Sequence, residues 1–170
     1  MRRPQRIEPG PGQESVWDYP RPPRLERTHS LVRVEHAGVV VAETTAAWRV
    51  LETSQPPAFY LPPDDVAMEY LRANNMETWC EWKGTASYLD LVVGDVRGGE
   101  VVSQGAAWRY PSPARRFAPI AGHVVFYPQR VDGCFVDGER VRPNEGGFYG
   151  GWVTSKVVGP FKGGPGTTGW

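Results

Sequence analysis

Leu31-Val32-Arg33-Val34-Glu35 alternates apolar and polar positions, and the β-branched run Val39-Val40-Val41-Ala42-Glu43 follows after His36-Ala37-Gly38. A period of two with valines on one face is the pattern of a half-buried strand, and the glycine-containing break makes the pair a hairpin. Trp48-Arg49-Val50-Leu51-Glu52 and Ala58-Phe59-Tyr60-Leu61 predict two more short strands, set apart by Pro56-Pro57 and Pro62-Pro63. Asp64 is placed to cap one short helix with Val66, Tyr70 and Leu71 on its buried side, ended by Asn74-Asn75. Trp79-Cys80-Glu81-Trp82 then predicts a strand with Cys80 and Trp82 on one face, broken at Lys83-Gly84.

Alternation resumes over residues 87–93, turns at 94–99 and returns over 100–104. Residues 111–119 predict a loop. His123-Val124-Val125-Phe126-Tyr127 predicts a strand closed by Pro128. Residues 134–141 predict a hairpin whose Asp137-Gly138 pair supplies the positive φ angles of a two-residue turn.

Two segments, about 31–66 and 88–132, share an order of features. Ala46-Ala47-Trp48-Arg49 and Ala106-Ala107-Trp108-Arg109 each follow a hairpin. Each precedes prolines, an aromatic pair (Phe59-Tyr60, Phe126-Tyr127), another proline and a valine. That order predicts a duplicated β-unit with Arg49 and Arg109 in equivalent places. The organisation read from the chain is a proline-rich extended arm (1–30), a single β-domain (31–141) and a glycine-rich C-terminal extension (142–170). Pro9-Gly10-Pro11-Gly12 and Pro20-Arg21-Pro22-Pro23 hold the arm extended. Trp17 is its expected anchor, on the body or on a partner subunit. The C-terminal extension is expected to add one strand and then fray, with Trp152 docked.

Composition narrows the functional classes. Lys+Arg and Asp+Glu are both 19, so the formal charge is zero over 170 residues. Nothing in that balance asks for nucleic acid or an anionic membrane. No apolar run approaches the roughly 20 residues of a membrane span. No apolar region follows Met1-Arg2-Arg3-Pro4, so no signal peptide is expected and the reading is cytoplasmic. The two cysteines, Cys80 and Cys134, form neither a Cys-x-x-Cys pair nor a secreted disulfide framework.

The stretch Cys80-Glu81-Trp82-Lys83-Gly84-Thr85-Ala86-Ser87-Tyr88 reads as cysteine, two residues, lysine-glycine, small residues, tyrosine. Further motifs follow at Trp108-Arg109-Tyr110-Pro111, Phe117-Ala118-Pro119-Ile120-Ala121-Gly122, Phe126-Tyr127-Pro128 and Cys134-Phe135-Val136-Asp137-Gly138-Glu139. On these motifs, on residues 43–52 and on the arm 9–19, the chain resembles a bacterial family known as domain of unknown function 427, in its long actinobacterial form. The resemblance covers nearly the whole chain. It implies a mainly β fold of compact twisted antiparallel sheets, similar to the β-tent of methionine sulfoxide reductase B and zinc-binding exchange-factor relatives. Those relatives hold zinc with two Cys-x-x-Cys pairs. This sequence lacks them, so a zinc-free tent is expected, with no metal and no cofactor. One family label points to a nucleotidyltransferase, but no residues here support it, and the family carries no active site to transfer.

Candidate chemistry centres on Cys80 and Lys83. A thiolate near a lysine suits a nucleophile or redox sensor; the alternative is an inert cysteine buried between tryptophans. Its base would have to be His36 or His123 brought close in space. Lys83 suits a carboxylate, a phosphate or a Schiff base; the alternative is a solvated turn lysine. Arg49, Glu52, Tyr60, Tyr88, Trp108, Arg109, Tyr110 and Tyr127 are candidate pocket residues, since arginine forks between aromatic walls suit a small anionic or planar ligand. Alternatively the tryptophans fill the core and the arginines pair with Glu43, Glu52 or Glu81. His29, His36 and His123 have no metal-ligand spacing. The leading expectation is a small-molecule-binding β-domain. The others are a cysteine-dependent or nucleotidyltransferase-like enzyme, and an interaction module that forms a homodimer through the Trp17 arm or the Trp152 tail.

Overall fold

The computed structural model describes residues 3–170; Met1 and Arg2, the start of the expected arm, lie outside the described residues. The chain is mainly β. The arm carries β1 (Glu14–Ser15) and β2 (Arg24–Arg27). The first expected hairpin is β3 (Val32–His36) and β4 (Val39–Thr44), followed by β5 (Trp48–Leu51) and β6 (Ala58–Tyr60). Three long strands come next: β7 (Leu71–Cys80), β8 (Gly84–Gly94) and β9 (Glu100–Arg109). Short strands finish the body: β10 (Val125–Phe126), β11 (Gly133–Val136) and β12 (Glu139–Arg140). The C-terminal extension adds β13 (Arg142–Pro143), β14 (Trp152–Val153) and β15 (Val157–Val158).

Two four-stranded antiparallel sheets dominate, ordered β10-β9-β8-β7 and β12-β11-β3-β4. A smaller sheet is ordered β2-β5-β6. Leu61 and Val124 exchange both backbone hydrogen bonds at 2.9 Å and so join the β6 and β10 regions. After the first Ala-Ala-Trp-Arg segment and after the second a short strand and a 3-10 turn follow, Pro63–Asp65 or Pro128–Arg130, but Trp48 lies in a strand separate from the hairpin before it, whereas Trp108 lies in β9, the return strand of a hairpin. The strand after the first turn, β7, pairs with β8, and the strand after the second, β11, pairs with β3.

The expected helix from Asp64 requires correction. Only two 3-10 turns form there, Pro63–Asp65 and Met68–Tyr70, and Leu71 onward is strand. Val66 instead bridges Ala42, so cross-strand pairing overrides the local capping signal. Asn74-Asn75 does not end a helix but marks a register shift in β7. The Asn74 amide donates to Asp90 Oδ1 at 2.8 Å, and Gly105 N donates to the same oxygen at 2.8 Å. Those two bonds, the Gly105 amide foremost, hold the Asp90 carboxyl below its usual range. Gly105 has φ +58, a conformation natural to glycine. These bonds fix a bulge between Leu89 and Leu91. Before it, Ala86 and Tyr88 belong to one core; from Leu89 onward, Leu91 and Val93 belong to another. The larger core gathers Val32, Val34, Phe59, Leu61, Phe126 and Trp152. The second is aromatic, with Tyr60, Tyr88, Trp108, Tyr110 and Phe117.

The extension does not fray as expected. Glu14 N donates to Lys156 O at 2.9 Å where β1 runs parallel to β15. The Trp17 indole donates to Pro160 O at 2.9 Å, and its ring lies 5.8 Å from that of Trp170. Val16, Tyr19, Leu51 and Val157 make a small core under this clasp. The Trp17 anchor therefore sits on the chain's own C-terminal extension. Trp152, as expected, is docked, with its N–H donating to Phe126 O at 2.9 Å. Among the described residues no helix is long and apolar enough to cross a membrane.

Candidate functional site

Cys80 ends β7, and residues 81–83 form the turn into β8. The expected strand 79–82 is therefore cut short, because the chain reverses to pair Cys80 with Gly84. Gly84 accepts φ +104 at that reversal, a value costly to residues with a Cβ. Ala114 N donates to Lys83 O at 2.9 Å, so the loop beyond β9 lies over the turn. The Lys83 residue is only 8 % exposed. Its Nζ lies 5.7 Å from the Tyr110 ring centre and 6.0 Å from that of Phe117. Every ion pair among the described residues uses an arginine, and none uses Lys83.

Lys83 lines a cavity of about 460 Å³. Tyr60, Tyr88, Trp108, Tyr110 and Tyr127 line the interior, with Cys80 in the same wall. The Trp108 and Tyr127 ring centres are 4.5 Å apart, and those of Tyr60 and Tyr110 are 6.4 Å apart. The Tyr88 and Thr78 hydroxyls are 3.0 Å apart. Burial pushes the Tyr60, Tyr110 and Tyr127 phenols above their ordinary range; Tyr60 adds to the rise at Tyr110, and the Tyr88 hydroxyl to that at Tyr127. All three stay protonated at neutral pH and keep an O–H to donate. Trp79 also lines the cavity at 74 % exposure, and so does Phe148 at 67 %. Glu52 lines it too, but its carboxylate accepts from Gln55 Nε2 at 2.7 Å and lies 3.7 Å from Arg21.

The structure thus gathers Glu52, Tyr60, Cys80, Lys83, Tyr88, Trp108 and Tyr127 around one hollow. It does not bring Arg49 or Arg109 there. Arg49 pairs with Glu14 and Glu26, neither of them among the partners expected, and it lines a separate cleft with Glu26 and Lys156. Arg109 neighbours Trp108 in β9, so strand alternation turns it to the opposite face; its Nε is buried without a partner. The aromatic and cationic halves of the expected pocket are therefore separated by the sheet. Neither His36 nor His123 lines the cavity to serve Cys80 as a base. His36 Nδ1 instead accepts from Asp132 N at 3.2 Å.

Sequence reasoning missed the part of the wall drawn from the C-terminal extension: Phe148, Tyr149, Gly150, Gly151 and Lys162. A usable signal was present. Phe148-Tyr149 is bracketed by two glycine pairs, and glycine is what a close backbone approach demands. Among the described residues no three His, Cys, Asp or Glu side chains gather to hold a metal.

A family model described as a domain of unknown function, DUF427, matches residues 24–137. No curated protein matches the chain. The matched span contains the turn 81–83 and the aromatic floor but stops short of the wall supplied by residues 148–162.

Proposed function

The chain belongs to the DUF427 family, and we propose that this member binds a small organic molecule in the cavity beneath the turn 81–83. One observation carries the reading. Lys83 is nine-tenths buried at the cavity wall with no carboxylate to pair with. Its ammonium makes no hydrogen bond or ion pair among the described residues and opens onto the cavity, so its donors are free for a ligand. The neighbouring tyrosine and phenylalanine faces hold it there through their ring quadrupoles. An unpaired lysine held against aromatic walls in a concave site is the kind of polar group that orients a bound molecule. The volume falls within the range of small-molecule sites, and the walls are aromatic with a few polar groups, as such sites are. The order shared by residues 31–66 and 88–132 supports reading the domain as a duplicated β-unit.

Thermal unfolding of Lys83→Met tests this. The expected result is an unchanged or raised melting temperature, with a gain of up to about 2 kcal/mol, since no ion pair is lost. A marked fall would make Lys83 a structural group and overturn the reading.

The shared cavity favours one second reading, in which Cys80 is a reactive thiol facing the bound molecule. Iodoacetamide at neutral pH, followed by peptide mass analysis, tests it. Cys134 is 1 % exposed with its thiol pushed up by burial, so it should react only after unfolding. Cys80 should react in the native protein. If Cys80 also waits for unfolding, the nucleophile reading is lost.

A further inference from the structure

Resting on the small-molecule reading above, we infer the class of molecule: a planar, ring-containing compound that ends in one anionic group, a carboxylate or phosphate ester, which Lys83 receives. The charges around the cavity carry the argument. Glu52 is engaged by Arg21 and Gln55. Lys162 sits toward the extension, its Nζ 5.7 Å from the Tyr149 ring centre. Glu81 and Lys162 also line the cavity without an ion pair among the described residues, but Glu81 is exposed and Lys162 only half-buried, which leaves Lys83 as the buried charged residue of the lining.

An anion meeting that ammonium removes an unpaired buried charge, and charge-assisted hydrogen bonds are the stronger kind. A cationic ligand meets the reverse. Aromatic boxes attract cations, but here Lys83 already occupies the position over Tyr110 and Phe117, and like charges repel strongly where water is scarce. A polyphosphate is also disfavoured. It brings several negative charges to a wall whose two lysines are accompanied by Glu52 and Glu81.

The remaining surface selects the body of the ligand. Trp79 and Phe148 stand largely exposed at the wall, and Trp108 and Tyr127 are buried in it. Flat rings gain from stacking or edge contacts with such walls. The Tyr110 phenol, whose ring centre is 5.7 Å from Lys83 Nζ, carries an O–H that can donate to an anionic oxygen.

Calorimetric titration of the full chain with naphthoate, naphthyl phosphate, naphthamide and naphthylmethylamine separates the possibilities. These probes share one ring system and differ in charge. At least one of the two anions should bind about tenfold or more tighter than the neutral amide, and which one does so tells carboxylate from phosphate. The amine should bind more weakly than the amide. Lys83→Gln should erase the preference for the anion while leaving amide binding within about threefold of wild type, and Lys83→Arg should retain most of it. If Lys83→Gln fails to fold, the wild-type comparison of acid with amide decides alone. Equal binding of anions and amide, in competition with each other, would leave the cavity a binding site and overturn the anionic class. Failure of every naphthalene probe to bind would overturn both readings. Tighter binding of magnesium-ATP than of either naphthalene anion would overturn the single-anion inference in favour of a nucleotide.

Discussion

Trp152→Ala is expected to destabilise the protein by about 3–5 kcal/mol, measured as a shift of the urea unfolding midpoint. The indole is fully buried in the larger core. It stacks on Phe59 with ring centres 5.1 Å apart at 30°. Its N–H donates to Phe126 O at 2.9 Å, and its backbone N–H donates to Pro57 O at 2.8 Å. Truncation removes the ring, opens a cavity between the sheets and strands a buried carbonyl. Trp152→Phe keeps much of the ring and loses the hydrogen bond, so its cost should be smaller, about 1–3 kcal/mol. A Trp152→Ala midpoint equal to that of wild type would show that the C-terminal extension is not part of the folded core.

Gly150→Ala is expected to cost about 1–3 kcal/mol or more and to disturb the cavity. A Cβ at this position would lie 2.1 Å from Trp108 Cη2 and 3.2 Å from Tyr127 Cε1. Trp108 is itself packed and only 8 % exposed, so the indole cannot swing clear cheaply. The extension must lift, and residues 145–151 should become sensitive to limited proteolysis. Gly147→Ala is the control. It has φ +68 but nothing within 4 Å of its would-be Cβ, so it meets backbone strain alone, about 1–2 kcal/mol, and should leave Trp108 in place. Equal protease resistance in Gly150→Ala and wild type would mean that the extension does not rest on Trp108.

The membership of DUF427 covers residues 24–137, yet both variants lie beyond that span. The wall they support lies outside the matched span. The N-terminal arm clasps the far end of the same extension through β1 and β15, so both ends of the chain contribute to holding that wall.

Much of this was written locally. Valine alternation determined β3, because one face of a strand has to leave water, and the β-branched run Val39-Val40-Val41 determined β4. Asp137-Gly138 determined the last hairpin, with φ values of +50 and +81, because few residues accept that conformation. The density of aromatic and polar groups from Thr78 to Tyr88 marked the neighbourhood of the cavity. Long-range pairing decided the rest. Leu71 to Asn75 became strand rather than helix because β8 offered partners to β7 on both sides of its irregularity, at Leu71 to Ala73 and again from Glu77. Arg49 left the expected pocket because strand alternation and the acidic groups of the arm, Glu14 and Glu26, lay on the other side. Lys83 is a buried cation in a turn that the loop at Ala114 covers, and Phe148 to Gly151 reached Trp108 because glycine lets two chain segments touch. Local patterns specify which residues must avoid water, but which segments arrive to shield them depends on contacts between residues far apart in the chain.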